Sequence, residues 1–257
     1  MMFSRNMFKG GAAVPHRKNT AQMETKKMNV PEKVIIPMIQ HIGAPCVPLV
    51  KKGDTVKVGQ VIGNSEKYVS APVHSSVSGT VTNIAPVLFP GGFQVTSVEI
   101  KTDGTQEVHE SIKPISYSSN KELLEAIRQS GLVGLGGAGF PAHVKLSPPP
   151  DKPVDTLIIN GAECEPYITS DYREIIENSS SIIGGISILK ELLKVKNVWI
   201  GIEDNKPEAI KILTHLTEKI DDVRVVKLKS RYPQGAEKML IYSVTGRKVP
   251  PGKLPND

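Results

Sequence analysis

The chain is poor in cysteine, and this shortage excludes several classes of protein. Only Cys46 and Cys164 occur among its 257 residues, and they lie far apart in the sequence. Neither a disulfide framework nor a Cys-x-x-Cys pair can be drawn from them. An iron–sulfur cluster usually needs four thiolate ligands, so this chain alone can build neither such a cluster nor a zinc finger.

Aromatic residues and long apolar runs are also scarce. Aromatic residues make up 5% of the chain, and no apolar run approaches the ~20 residues that span a bilayer. The N-terminal sequence MMFSRNMFKGG lacks the uninterrupted apolar core of a secretory signal. We therefore expect a soluble, intracellular protein that has no transmembrane segment of its own.

Positive charge is concentrated at the N-terminus. Residues 1–33 contain seven Lys or Arg and two Glu, which gives +5 of the total +6, so the rest of the chain contributes +1. This distribution argues against a nucleic-acid-binding surface on the folded part. For residues 1–30, a basic N-terminal arm, two interpretations stay open: docking on a partner or an anionic membrane face, or a solvated flexible terminus.

Residues 31–115 have the pattern of a β domain. Short valine-rich runs are interrupted at Gly53-Asp54 and at Gly59, and the last run ends at the Asp103-Gly104 turn. Several short strands with frequent turn signals are typical of a small sandwich or barrel.

Residues 116–257 alternate between helix and strand patterns. A helix is predicted after a cap at Ser119 or Asn120, and buried strands are predicted at 155–159, in KNVWIGIED and at 223–229. This alternation implies a mainly parallel sheet. The predicted fold class is α/β, with a β-sandwich followed by an α/β domain. The proline-rich end TGRKVPPGKLPND closes no sheet, which predicts that the second domain is truncated.

The sequence GLVGLGGAGFPAHVKL, residues 131–146, is the first candidate binding loop. It contains GxGxxG, but a predicted helix precedes it and prolines follow it, so an ordinary Rossmann turn is not expected. Its glycines would let backbone N–H groups converge on an anion, and Lys145 would supply a positive charge for phosphate. The alternative is a glycine-rich turn for close packing.

Two further candidate loops follow predicted strands. NGAECEPYITSDYR, residues 160–173, offers the Asn160 amide and the carboxylates of Glu163 and Glu165, which suit a heterocycle edge and ribose hydroxyls. RYPQGAEKML, residues 231–240, again combines a glycine with an acid. Ligands of open α/β sheets bind outside the carboxyl ends of the strands, so these loops predict a nucleotide pocket.

Two alternatives remain open for the loop at residues 160–173. It can be a capped turn with solvated glutamates that leads into a helix. Its Cys164 can be a buried small residue or a redox-sensitive thiol near the site.

Together the three motifs resemble the RnfC family, which are peripheral subunits of Rnf electron transport complexes. They are more distantly similar to the NADH- and FMN-binding subunit of respiratory complex I. The resemblance implies FMN contacts at Gly134, Gly136, Gly137, Lys145, Asn160, Glu163, Tyr232 and Gly235. It implies NADH contacts at Phe140, Glu165 and Glu237.

This sequence departs from the complex I pattern at three positions. Leu135 stands where the pattern has arginine, Ala162 where it has aspartate, and Cys164 where it has serine. These differences leave the flavin interpretation standing and bear on the polar contacts around it.

The resemblance also implies an activity and partners. Hydride would pass between NADH and FMN, and electrons would pass to 4Fe–4S clusters in a C-terminal part absent from this chain, in a ferredoxin:NAD oxidoreductase. No catalytic side chain and no metal site are expected. The expected partners are the membrane and iron–sulfur subunits of an Rnf complex, at the cytoplasmic face of the cell membrane. The alternative is a non-catalytic nucleotide-binding module for docking or assembly.

The β domain resembles the lipoyl- or biotinyl-type hammerhead sandwich. Lys67 lies near the position of a carrier lysine, but its flanks, SEKYVSA, lack the carrier signature. Biotin or lipoate attachment is therefore a second alternative, and an unmodified surface lysine is the favoured interpretation.

Overall fold

The computed structural model describes residues 2–3, 9–135 and 137–256, and the chain forms two compact units. One unit comprises Met1–Lys26 together with Pro149–Asp257, and the other comprises Lys27–Pro148. The first is called the α/β unit and the second the β unit.

The elements of both units are numbered in chain order. The strands are β1 (Met2–Phe3), β2 (Lys33–Pro37), β3 (Val47–Pro48), β4 (Thr55–Val56), β5 (Val61–Asn64), β6 (Val73–His74), β7 (Gly79–Leu88), β8 (Gln94–Thr102), β9 (Thr156–Gly161), β10 (Asn197–Glu203) and β11 (Val223–Leu228). The helices are α1 (Asn120–Gln129), α2 (Ala142–Lys145), α3 (Ser170–Leu193), α4 (Pro207–Thr217) and α5 (Glu237–Thr245).

The β unit contains two antiparallel sheets. One has the strand order β2-β8-β7-β4 and the other the order β3-β5-β6. The hairpin of β7 and β8 is paired from Gly79–Thr102 to Leu88–Gln94, with an irregularity between Val81 and Asn83. One face of these strands is apolar because side chains alternate across a strand. The buried core consists of Ile36, Met38, Cys46, Val56, Ile62, Val73, Val77, Val81, Val98 and Ile100.

The α/β unit is built on a parallel sheet of order β1-β11-β10-β9. Alternate residues of β10 and β11 serve different cores: Val198 and Val225 pack with α3 and α4, whereas Val226 and Leu228 pack with α5. Helices therefore cover both faces of the sheet, as expected for parallel strands. The predicted mixture of a β-rich half and a mainly parallel α/β half is confirmed.

The helix boundaries follow local signals in the sequence. The Ser119 hydroxyl accepts a hydrogen bond from the Glu122 amide at 3.3 Å, so Ser119 rather than Asn120 caps α1. Helix α3, predicted as one or two helices, is interrupted by non-helical backbone at Asn178. Lys194 ends it in the left-handed conformation, with φ 52°.

The compact units differ from the predicted domain ranges in two places. Residues 116–148 belong to the β unit, where Arg128 of α1 donates to Ser65 O at 2.6 Å and His143 of α2 contacts Tyr68 O at 3.0 Å. The described N-terminal residues up to Lys26 belong to the α/β unit. The ranges 1–30, 31–115 and 116–257 remain a proposal for the family domains.

Within the described part of the chain, no helix has both the length and the apolar character required to cross a membrane.

Candidate functional site

The loops after β9 and β11 meet at the carboxyl edge of the parallel sheet. Asn160, exposed at the end of β9, donates from Nδ2 to Gly235 O at 2.9 Å, and its Oδ1 accepts from the Ala162 amide at 3.2 Å. The Gly235 amide in turn donates to Cys164 Sγ at 3.4 Å. The structure thus brings together Asn160 and Gly235, two of the residues predicted from the sequence to bind the ligand.

Gly235 is required by the close approach of these two loops. A Cβ atom at this position would lie 2.6 Å from Ala162 O and 3.5 Å from Cys164 Sγ. A backbone oxygen can move only if the loop that carries it moves as well. A side chain at this position would therefore push the two loops apart. This glycine therefore has a packing reason that is independent of any ligand.

Three other predicted site residues of the α/β unit present exposed side chains. Tyr232 lies in the loop after β11, and Glu237 is the first residue of α5. The Glu165 carboxylate is exposed in the loop after β9, where its Oε1 lies 3.7 Å from Cys164 Sγ. All three side chains are accessible to a ligand at this edge of the sheet.

The Glu163 side chain is buried, and its carboxylate contacts other groups of the protein. It is 2% exposed; Oε1 accepts from the Asp171 amide at 2.8 Å, and Oε2 lies 3.3 Å from Lys18 Nζ. The Asp171 amide is in the first turn of α3, so the carboxylate satisfies a free donor at a positively polarised helix end. Glu163 therefore fixes the loop from within.

A buried ion pair at the end of β10 was not predicted from the sequence. Glu203 is fully buried, and its Oε2 lies 3.3 Å from Lys206 Nζ, which is also 3.4 Å from Glu163 O and 3.9 Å from Glu163 Oε2. Within the described residues, Glu203 Oε1 has no hydrogen-bond partner. The pair could have been recognised from the position of Glu203, an acid at the end of a predicted buried strand.

The two interpretations of Cys164 are separated by its burial. The residue is 2% exposed, and burial raises the pKa of its thiol above the ordinary value. A protonated, inaccessible thiol is a poor nucleophile and a poor redox centre. The structure favours the buried small residue.

The glycine-rich loop belongs to the β unit and closes on itself. Val133 and Pro141 form an isolated antiparallel bridge, and the Gly134 amide donates to Phe140 O at 3.0 Å. The Gly139 amide donates back to Gly134 O at 3.2 Å. Gly136 lies outside the described residues.

Packing explains two glycines of this loop but not two others. Gly131 and Gly139 have positive φ angles of 72° and 65°, and added Cβ atoms would lie 2.6 Å from Pro72 O and 3.2 Å from Gln40 O. Gly134 does not have a positive φ angle. Within the part of the chain that the structure describes, a Cβ would meet nothing within 4 Å at Gly137, and at Gly134 its nearest neighbour would be 3.7 Å away.

The open positions lie on a part of the loop that also carries a free cation. Lys145 is exposed, and its Nζ lies 4.0 Å from the Cβ position of Gly134. Within the described residues, no carboxylate pairs with Lys145. Phe140 is half-buried, and Leu135 is 89% exposed at the tip of the loop. Bare backbone beside an unpaired ammonium suits a phosphate-bearing ligand.

A small cavity of about 210 Å³ lies in the β unit at the start of the loop. Its volume is below the ~300 Å³ from which small-molecule sites usually begin, so it cannot enclose a flavin. Burial lowers the pKa of one lining residue, His74. The lining residues are Gln40, His41, Pro72, Val73, His74, Gly131 and Val133.

Two family models match the chain. Residues 6–105 match the RnfC barrel sandwich hybrid domain, and residues 127–257 match the Nuo51 FMN-binding domain.

Curated relatives match nearly the whole chain. The chain is 49% identical, over 97% of its length, to a subunit of the proton-translocating ferredoxin:NAD(+) oxidoreductase complex of Clostridium ljungdahlii. It is 44% identical, over 100% of its length, to a subunit of the Na(+)-translocating ferredoxin:NAD(+) oxidoreductase complex of Acetobacterium woodii. It spans 55% and 59% of the lengths of these two relatives. The chain belongs to the RnfC family, and residues 127–257 belong to the Nuo51 FMN-binding domain family.

Proposed function

We propose that this chain is the FMN- and NADH-binding part of the RnfC subunit of an ion-translocating ferredoxin:NAD oxidoreductase. The names of the relatives and the FMN-binding family of residues 127–257 support this function. The observation that carries it is the pair Gly134 and Gly137, which packing against the described residues does not require to be glycine. Space left open beside Lys145 is what a bound flavin mononucleotide would use.

We infer FMN contacts within the β unit and, separately, within the α/β unit. In the β unit, the glycine loop, including Gly136, would supply backbone donors and Lys145 a charge for the phosphate. In the α/β unit, Asn160, Tyr232 and Gly235 would contact the ligand from the loops after β9 and β11. The buried Glu163 would stabilise these loops from inside the protein. Bound FMN takes up electrons in pairs and releases them singly, which connects a nicotinamide to iron–sulfur clusters.

The side chains of this chain would bind and orient the flavin and the nicotinamide nucleotide. None of them has to act as a nucleophile or as a base. Phe140 offers an aromatic face to a nicotinamide nucleotide. Glu165 and Glu237 offer exposed carboxylates that accept hydrogen bonds from ribose hydroxyls or a carboxamide. The buried groups Glu163, Glu203 and Lys206 hold the strand ends in place.

The proposal extends to the rest of the complex. It includes membrane and iron–sulfur subunits as partners and a peripheral position at the cytoplasmic face of the membrane. The relatives are named as subunits of translocating complexes, which supports the presence of further subunits. The 4Fe–4S clusters would belong to a part of the protein outside this chain. The β unit would be a hammerhead-type docking module in which Lys67, exposed between β5 and β6, stays unmodified.

An anaerobic titration tests the function. FMN is added to the purified chain, bound flavin is measured by fluorescence quenching, and NADH is then added. We expect the yellow flavin band to bleach at a rate above that of free FMN with NADH. Flavin that binds but is not reduced would favour the non-catalytic module, and the absence of any flavin binding would refute the proposed function.

A further inference from the structure

The N-terminal segment crosses the carboxyl edge of the parallel sheet. It begins beside β11, where Ala12 and Tyr232 exchange two backbone hydrogen bonds at 2.8 and 2.9 Å and Arg231 donates to Gly10 O at 3.1 Å. It then passes the end of β10, where His16 Nδ1 lies 3.3 Å from Nδ2 of the Asn205 side chain. We call residues 10–25 the strap.

The strap continues across the loop after β9 and along α3. The Tyr167 amide donates to His16 O at 3.0 Å, and the Thr20 and Thr169 hydroxyls are 2.6 Å apart. Farther on, the Thr25 amide donates to Glu177 Oε1 at 3.0 Å. The strap therefore joins the ends of three neighbouring strands, which is where ligands of such sheets bind.

Lys18 is the main attachment of the strap. Its ammonium donates to the backbone oxygens of Glu163 at 2.8 Å, Glu165 at 3.0 Å and Ile168, and it pairs with the Glu163 carboxylate. Its side chain is 15% exposed. An ammonium has three donors, and four acceptors surround this one, so Lys18 has no donor left for a ligand.

We propose that Lys18 is a positioning residue for the nucleotide site and that the strap is part of the FMN-binding domain. This inference rests on the proposed function, and it goes beyond the family match, which groups the strap with the barrel sandwich domain. Lys18 fixes the carbonyls on both sides of the Glu165 side chain. Without the ammonium, the Glu165 and Ile168 carbonyls lose the donor described for them, and Glu163 keeps only its contacts with Lys206 and the Asp171 amide. The loop then leaves the conformation that presents Glu165 and Asn160.

The test compares Lys18→Met with Lys26→Met in the full chain. Both substitutions remove one positive charge from the same segment, but Lys26 is exposed and makes no hydrogen bond or ion pair within the described residues. We expect Lys18→Met to weaken FMN binding at least tenfold and Lys26→Met to leave the Kd unchanged. Equal FMN affinity of wild type and Lys18→Met would overturn the inference.

Hydrogen exchange separates positioning from general loss of stability. In Lys18→Met without flavin, we expect the amides of residues 163–165 and 167–169 to exchange at least tenfold faster and those of β10 and β11 to keep their rates. Unchanged exchange, or acceleration of the whole sheet, would contradict a positioning role. This readout needs no flavin, so a wild-type chain that fails to bind FMN would refute the proposed function without deciding the role of Lys18.

A rescue experiment shows whether the ammonium itself is needed. Lys18→Cys is alkylated with 2-bromoethylamine, which restores an ammonium at nearly the length of lysine, and with iodoacetamide as the matched control. Wild type is treated in parallel, because Cys46 and Cys164 are buried and should not react. Recovery of FMN affinity with the amine alone supports the inference, and equal behaviour of the two adducts overturns it.

Discussion

Replacing Gly137 by valine separates ligand binding from folding at the glycine loop. Among the described residues, a Cβ at this position meets nothing within 4 Å. The substitution should therefore change the free energy of unfolding by less than about 1 kcal/mol, as at other open surface positions. If flavin occupies the open space, the new side chain instead collides with the ligand.

The size of the effect follows from the cost of overpacking. Extra methyl groups in an occupied site cost about 1–3 kcal/mol, and each ~1.4 kcal/mol is a factor of ten in affinity. We expect the Kd for FMN, measured by fluorescence quenching, to rise roughly 5- to 150-fold. Denaturant unfolding of the same samples measures the change in the free energy of unfolding.

Gly184→Val is the matched control, since Gly184 in α3 is also exposed and a Cβ there also meets nothing within 4 Å. It should leave the Kd for FMN unchanged. An FMN affinity of Gly137→Val within twofold of wild type would refute the view that the open glycines serve the flavin. A large loss of folding free energy would refute the view that Gly137 has no packing role.

Gly235→Ala should destabilise the protein by about 1–3 kcal/mol in urea unfolding, because the new methyl group would lie 2.6 Å from Ala162 O; stability equal to wild type would show that the loops can separate cheaply. Arg247 donates twice to Asp155, at 2.7 and 2.8 Å, and lowers the pKa of that carboxyl to about 2. Because the folded-state pKa is depressed, the stabilisation is present above the ordinary pKa of 3.8 and is lost as pH falls through about 2. Both side chains are well exposed, so Arg247→Met should cost no more than about 1 kcal/mol at pH 7, and the difference from wild type should shrink as the pH falls toward 2 and vanish below it; a difference of unchanged size there would contradict the assignment. Burial raises the pKa of the Cys164 thiol, so it should resist a thiol reagent in the native protein and react in denaturant, and rapid native labelling would contradict its buried role.

Local patterns in the sequence were sufficient for most elements of the α/β unit. The predicted strands at 155–159 and 223–229 correspond to β9 at Thr156–Gly161 and β11 at Val223–Leu228, because short apolar runs bounded by polar turns leave few other choices. Ser119 was recognisable as a cap because its hydroxyl can serve the first helical turn. Each of these signals involves residues that are close together in the sequence, so one sequence is sufficient to recognise them.

The strap and the buried charges could not be predicted in the same way. The strap is basic and polar, which is the composition of a solvated terminus, and its structure comes from contacts such as that between Lys18 and Glu163, which are 145 residues apart. Only coordinates separate Gly134 and Gly137, where the described residues leave room for a Cβ, from Gly131 and Gly139, which are tightly packed. The role of such residues depends on their neighbours in space, and sequence spacing does not reveal those.

The discontinuity of the α/β unit has a consequence for biosynthesis. The ammonium of Lys18 and its acceptor at Ile168 are 150 residues apart, and the whole β unit is encoded between them. At about 5–20 residues per second, the ribosome needs roughly 8–30 s to supply that acceptor. During this interval the β unit can complete its own core, whereas the emerged N-terminus has no sheet to join. Cotranslational chaperones that shield this waiting segment should therefore raise the yield of native protein.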